Sequence, residues 1–269
     1  MKNWFTHLIL LIGAVIMIFP FAWMFLSSFK TDKDAFSYPP RWIPSKWTFR
    51  NFSKVLEMVP FGRYYLNSLI VTGTITFGQI FVAILAAYAL ARLDFPGKTP
   101  VMILLVSTMI MPFEVILIPT FLIVHKFGWL DTYQGLIVPF LYSGFSIFFL
   151  RQFFLTIPKD LEDAAKIDGC GYFGILFNVI IPNSKAAIGT ISLFVFLTYW
   201  RSYLWPLVIT NSTEMRTLPI GLKYFVEEGA TQYHLMMAAA LMAIVPVLVV
   251  YVLAERHLVR STTLTGLKF

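Results

Sequence analysis

Charge is what this sequence has least of. Only 13% of its 269 residues are Asp, Glu, Lys or Arg, about half of what an ordinary soluble domain carries. A water-facing globule is therefore excluded. Cysteine occurs once, at Cys170, which excludes an internal disulfide and any cysteine-rich metal site. The four histidines, His7, His125, His234 and His257, lie scattered without ligand spacing, so no metal site is expected. A phosphate loop of the form GxxxxGK(S/T) is missing, and with it the usual means of cradling a nucleotide. No histidine–acid pair or nucleophile constellation stands at a membrane interface, so no catalytic residue is expected and a membrane-embedded enzyme is disfavoured. The net charge is +7 and the isoelectric point about 9.4. No basic run or aromatic-interleaved basic patch accompanies them, which argues against nucleic acid. The excess belongs in loops flanking a membrane.

What is present is apolar. Hydrophobic residues make up 58% of the chain, with 27 phenylalanines, and the mean hydropathy is +0.74. A membrane-crossing helix takes about 20 mostly apolar residues, and six stretches qualify. Leu8 to Leu26, Leu66 to Ala91, Gln134 to Leu150 and Leu235 to Ala254 are uncharged; Pro100 to Val124 holds only Glu114 and Ala186 to Thr210 only Arg201. The first is too long for the apolar core of a signal peptide and no A-x-A-type site follows, so it reads as a retained helix. The expectation is an all-α membrane protein of six transmembrane helices, one domain over residues 1–269, with both termini on one side. Lysine and arginine divide ten to ten between the two faces, so charge bias gives no orientation.

Between spans four and five stands IPKDLEDAAKIDG, Ile157 to Gly169. Asp160 is a candidate N-cap, with Asp163 three residues on in the manner of a capping box. Leu161, Ala164, Ala165 and Ile167 fall on one face at helical spacing. Glu162 and Lys166 form an i,i+4 pair on the other, and Gly169 is a natural C′ residue. Helices that lie on lipid headgroups usually carry basic residues opposite bulky apolar anchors. This one is more acidic than basic and its anchors include two alanines, which favours docking on a protein over lipid contact.

The longer stretch LEDAAKIDGCGYFGILFNVIIP, Leu161 to Pro182, resembles the cytoplasmic EAA loop of binding-protein-dependent ABC importer permeases, in which an acid, two alanines and a downstream glycine recur. Those positions are Asp163, Ala164, Ala165 and Gly169 here; the family usually has Glu at the first. AAYALARLDFPGK (Ala86 to Lys98), WRSYLWPLVIT (Trp200 to Thr210), TLPIGLKYF (Thr217 to Phe225) and the last span with its tail to Arg260 are similar to carbohydrate-importer permeases of the maltose-permease type. The tail has Ser261 and Thr265 where that family has glycine.

The resemblance implies a short cytoplasmic coupling helix between spans four and five, with Glu162, Asp163, Ala164, Ala165, Asp168 and Gly169 as its ATPase-coupling residues. It implies a bacterial cytoplasmic membrane and cytoplasmic termini. The implied partners are a second homologous permease, two ATPase subunits, an external substrate-binding protein, a carbohydrate substrate and membrane lipid. No cofactor is expected on this chain; ATP and Mg belong to the ATPase subunits.

Charge at the centre of a span costs about 2.5–3.5 kcal/mol on insertion scales. Glu114 and Arg201 are thus expected to face a cavity or each other. Pro112 and Pro119 flank Glu114 and interrupt the third span. The resembled family usually has Asn where Arg201 stands. Arg201 reads either as the partner of Glu114, or of a group on the second permease, or as a cationic site for an acidic saccharide or sugar phosphate. Trp200, Tyr203 and Trp205 beside it offer aromatic faces to sugar rings, or serve ordinary packing. Glu114, Arg201, Trp200 and Tyr203 are the candidate translocation-path residues, and Pro206 marks an irregular end to the fifth span. Residues 30–65, rich in proline and aromatics, and residues 211–234 read as external loops. A rival reading, an ion-coupled secondary transporter, uses Glu114 and Arg201 but leaves the charged helix without a purpose.

Overall fold

The computed structural model describes residues 2–227 and 232–263, and every regular element among them is helical. Three helices are long and apolar enough to cross a bilayer alone: α1 (Lys2–Ser28), α3 (Phe61–Arg92) and α12 (Tyr233–Thr263). Between α1 and α3 lies the short α2 (Arg50–Met58). The other three spans are bent. Span three is α4 (Lys98–Ile110) and α5 (Phe113–Lys126), meeting at 105°. Span four is α6 (Tyr133–Ile137), one 3-10 turn to Phe140, and α7 (Gly144–Thr156), bent by 40°. The charged segment forms α8 (Lys159–Ile167). Span five joins the segment Tyr172–Asn183 to α9 (Lys185–Trp200) at 79°. Two further helices follow, α10 (Leu204–Ile209) and α11 (Leu218–Glu227). Six spans result if each bent pair is one span.

The bends have local causes. Met111 precedes Pro112 and is extended (φ −77°, ψ 120°), as the proline ring requires of its neighbour. Pro112 then opens α5, where a missing N–H costs nothing. Pro119, expected to interrupt the span as well, lies inside a continuous α5. Span four restarts at extended Ser143, whose hydroxyl accepts from the Ser146 N–H, an N-cap bond. In span five Leu176–Ile180 is a π-helical turn directly before Ile181 and Pro182. After Trp200 the helix stops for three residues, ahead of Pro206 rather than at it.

The contacts resolve two compact units, residues 1–66 with 216–247 and residues 67–215 with 248–269. In the second unit α7 packs against α4 and α9, and α10 against α6 and α5. Its core includes Ile75, Ala83, Ala87, Leu150, Phe154, Ile191, Trp205 and Ile209. Trp205 is fully buried and its indole N–H donates to the Gly135 carbonyl (3.1 Å). That tie gives it a packing role. Gly135 has no room for a side chain, since a Cβ there would strike the Trp129 carbonyl.

In the first unit, the stretch read as an external loop contains α2. Its Asn51 is buried and donates to the carbonyls of Ser28 and Lys30 (both 2.8 Å). Buried Asp34 accepts from the Ser45 hydroxyl (2.6 Å) and N–H (3.0 Å) and pairs with Arg41 (3.1 Å). These bonds give the proline-rich loop a fixed course. Helix α1 is exposed along nearly its whole apolar length, as suits a helix clothed by hydrocarbon. In the tail, Thr265 and Lys268 lie outside the described residues, as does Gly229 in the loop before α12.

Candidate functional site

The charged helix α8 is preceded by extended Pro158, which replaces the expected Asp160 as N-cap residue; Asp160 sits in the first turn and makes no capping bond. Asp160 and Glu162 in that turn suit the positive end of the helix dipole. The far end closes as a Schellman turn: Gly169 N–H bonds Lys166 O (3.0 Å) and Cys170 N–H bonds Ala165 O (2.9 Å). Gly169 has φ +82°, a left-handed value that glycine adopts without steric cost. Gly169 is thus the C′ residue that the sequence suggests.

The two faces of α8 differ from the expected ones. Ala165 and Glu162 point inward, while Leu161, Ala164 and Ile167 are exposed, Ile167 by 87%. Lys166 pairs with Asp163 (2.8 Å), not with Glu162. This contact holds the Asp163 carboxyl below the usual carboxylate range and the Lys166 ammonium above its own. Asp163, Ala164, Asp168 and Gly169 all lie on the exposed side.

Glu162 instead meets Arg92, the last residue of α3. Arg92 Nε stands 2.6 Å from Glu162 Oε1, with the two side chains only 4% and 8% exposed. The N–H is not aligned as a hydrogen bond, so the attraction is chiefly Coulombic. Arg92 Nη2 also donates to Phe154 O (2.7 Å) and Ile157 O (2.6 Å) at the end of α7. Arg151 Nε returns the tie, donating to Leu90 O (3.1 Å). One guanidinium thus joins three helices: α3, α7 and α8. A cleft of about 620 Å³ opens beside it, lined by Tyr88, Asp94, Lys166 and Tyr172 among others.

A second site lies where the bent spans break. A cavity of about 670 Å³ is lined by Thr108 and Met109 from the end of α4, Phe113 from the start of α5, Ser143 and Gly144 from the start of α7, and Tyr199 and Ser202 where α9 ends. Irregular backbone at membrane depth is tolerated where it lines a cavity or is buried in protein, and broken helices mark substrate sites in other transporters. Phe140 forms an aromatic wall, 5.2 Å from the Tyr199 ring and 5.9 Å from Phe113. Gly144 lets α7 approach α4, since a Cβ there would come within 2.9 Å of Leu105 O.

The four expected path residues surround this cavity without lining it. Glu114 is exposed in the first turn of α5, and Arg201 is exposed at the end of α9, where its Nε bonds Leu197 O of its own helix (3.2 Å). They form no ion pair with each other among the described contacts. Trp200 is 5% exposed and stacks on Phe196 at 5.6 Å. Tyr203 is half-buried before α10. A turn at the helix end explains the miss: the Ser202 N–H bonds the Tyr199 carbonyl (3.1 Å), and these two residues line the cavity while Trp200 and Arg201 between them do not. The available signal was the Ser143–Gly144 pair, a capping residue followed by the smallest one inside an apolar run.

Residues 79–263 match the family described as binding-protein-dependent transport system inner membrane component. The chain is 34% identical over 265 residues to the sn-glycerol-3-phosphate transport system permease protein UgpE of Yersinia pestis bv. Antiqua, covering 96% of this chain and 94% of that one. The protein of the same name from Agrobacterium fabrum is 33% identical, with 95% and 94% covered. Among solved structures, a chain of a bacterial ABC transporter involved in import of the acidic polysaccharide alginate superposes with TM-score 0.83 at 24% identity, covering 95% of each chain. A complex of the bacterial alginate transporter with an alginate pentasaccharide-bound periplasmic protein gives TM-score 0.68 at 15% identity.

Proposed function

Since the chain belongs to the family of binding-protein-dependent transport system inner membrane components, we propose that it forms one half of the path of an ATP-driven importer for an anionic carbohydrate or polyol phosphate. It is a multi-pass membrane transport subunit and not an enzyme. The observation that carries the substrate reading is the cavity where spans three and four break and span five ends. The first turns of α5 and α7 line it, and helix N-termini bear partial positive charge. Arg201 stands beside cavity-lining Ser202 with an exposed guanidinium, suited to carboxylate or phosphate. The relatives' names, for sn-glycerol 3-phosphate and for alginate, support an anionic cargo.

A second, homologous permease would complete the cavity, and two ATPase subunits carrying ATP and Mg would seat the exposed face of α8. That assignment places α8 and both termini in the cytoplasm. Closure of the ATPase pair displaces α8, and the Arg92–Glu162 contact passes the displacement to the ends of α3 and α7. The permeases then exchange outward- for inward-facing forms, a rigid-body change of known type.

The test is uptake by membrane vesicles holding the whole importer, with sn-glycerol 3-phosphate and alginate trisaccharide as anionic probes and maltotriose as neutral probe. Arg201→Gln should lower anionic uptake about tenfold more than neutral uptake; equal loss would leave Arg201 a structural residue. In the same vesicles Gly169→Asp with Asp163→Lys should release the ATPase subunits. Retained ATPase and intact coupling would refute the role given to α8.

A further inference from the structure

Behind the main cavity lies a smaller chamber of about 140 Å³. The two share Ser143, Phe145, Thr198 and Tyr199 as walls. A water molecule's share of liquid volume is about 30 Å³, so the chamber is too large for one isolated water. Its inner wall carries Gln79, which is 2% exposed. The Gln79 Nε2 donates to Ser146 Oγ at 2.7 Å, which fixes the amide, but its Oε1 has no hydrogen-bond partner. A buried acceptor left unmade costs about 1–3 kcal/mol, and such a group in a transport protein calls for a donor. Tyr199 also lines the chamber, and its hydroxyl makes no hydrogen bond among the described residues. The Thr198 hydroxyl donates to Phe194 O (2.8 Å) and keeps its acceptor capacity. Ser143 and Ser146 also line the chamber, and the remaining walls, Phe145, Ile191, Phe194 and Val195, are apolar.

A fixed acceptor, a phenol and a spare hydroxyl acceptor, set among serines and aromatic and aliphatic faces, make the inventory of a polyol site: placed polar groups beside apolar surface. We infer that this chamber is a hydroxyl-reading subsite, in which Gln79 Oε1 accepts a hydrogen bond from a cargo hydroxyl while Tyr199 contacts the same end of the cargo. The inference rests on the carbohydrate or polyol reading above and extends it. The anionic end of the cargo lies toward the main cavity, and its hydroxylated end enters the chamber. Gln79 is then a specificity-determining residue.

The experiment uses vesicles holding the whole importer, with sn-glycerol 3-phosphate and alginate trisaccharide as probes. For whichever the wild type carries, Gln79→Met, nearly isosteric but without the acceptor, should raise KM at least tenfold, a larger change than in maximal rate. Tyr199→Phe, which removes one oxygen and keeps the ring, should raise KM in the same direction and serves if Gln79→Met fails to accumulate. An unchanged KM in either inserted variant overturns the subsite, as does an equal fall in rate with no change in KM, which marks Gln79 as packing or as a bridge to ordered water. Wild-type vesicles that carry maltotriose but neither probe overturn the anionic reading; those that carry none of the three overturn the functional reading and the subsite with it.

Discussion

Two arginines end apolar helices in this molecule, and their surroundings are opposite. Arg92 closes α3 with its side chain 4% exposed, held by Glu162 and two carbonyls. Arg201 follows α9 with its residue exposed and its side chain bonded, among the described residues, to Leu197 of its own last turn. The first is locked in place and the second is exposed. A buried, paired charge fixes the relation between helices, because removing either partner strands the other in a low dielectric. An exposed guanidinium beside a cavity holds no neighbour in place and is free to meet something that arrives. The same residue type is thus locked between helices in one place and left exposed beside a cavity in the other.

The contrast yields a graded set of outcomes. Arg92→Ala or Glu162→Ala should destabilise the purified importer most, by about 3–5 kcal/mol, the cost of orphaning a buried charge. The double variant Arg92→Met, Glu162→Met should recover most of that loss in a thermal-unfolding cycle. If the double variant were as unstable as the sum of the singles, the pair would not be coupled. Gly169→Ala comes next. A Cβ there meets nothing within 4 Å, so only the left-handed backbone resists it, at roughly 1–2 kcal/mol. Arg201→Gln should shift stability by less than about 0.5 kcal/mol, as for surface positions, while altering uptake. A large drop in melting temperature would erase the distinction between the two arginines.

The smallest effect belongs to the exposed pair on α8. Lys166→Ala should leave the melting temperature unchanged, since solvent screens such contacts. The pair's pH behaviour follows from its shifts. Lys166 holds the folded-state pKa of Asp163 below the unfolded value, so what the contact contributes is present above the ordinary aspartate pKa of about 3.9. It is lost only as pH falls through the lower folded value. ATPase association that weakened already between pH 7 and 5 would point to another group.

Much of this was legible in the sequence, for identifiable reasons. Six apolar stretches recur as three straight and three bent spans because hydrophobic length alone decides what enters a bilayer. Gly169 was readable because a left-handed turn has few other candidates. The direction of Glu162 was not. Local spacing pairs it with Lys166, but its true partner is Arg92, seventy positions away in the chain, and no periodicity encodes such a contact. The cavity was missed by one residue for a similar reason. Within an apolar helix, Tyr199 and Trp200 look alike, and only the neighbouring helices decide which ring faces a void and which stacks on Phe196. Gln79 gave no signal at all, being one amide in a span whose termini carry the charge.

The Arg92 contact has a mechanical consequence. A guanidinium gripping two carbonyls and a carboxylate leaves α8 little play against the ends of α3 and α7. The joint is stiff where a flexible loop would be compliant. A push of an ångström on the outer face of α8 is delivered as a movement of whole helices, with little absorbed on the way. With an ATPase seated on α8 as proposed, the stroke would be set by how far that ATPase closes, and slack, if the cycle needs any, would reside at the helix breaks around the cavity.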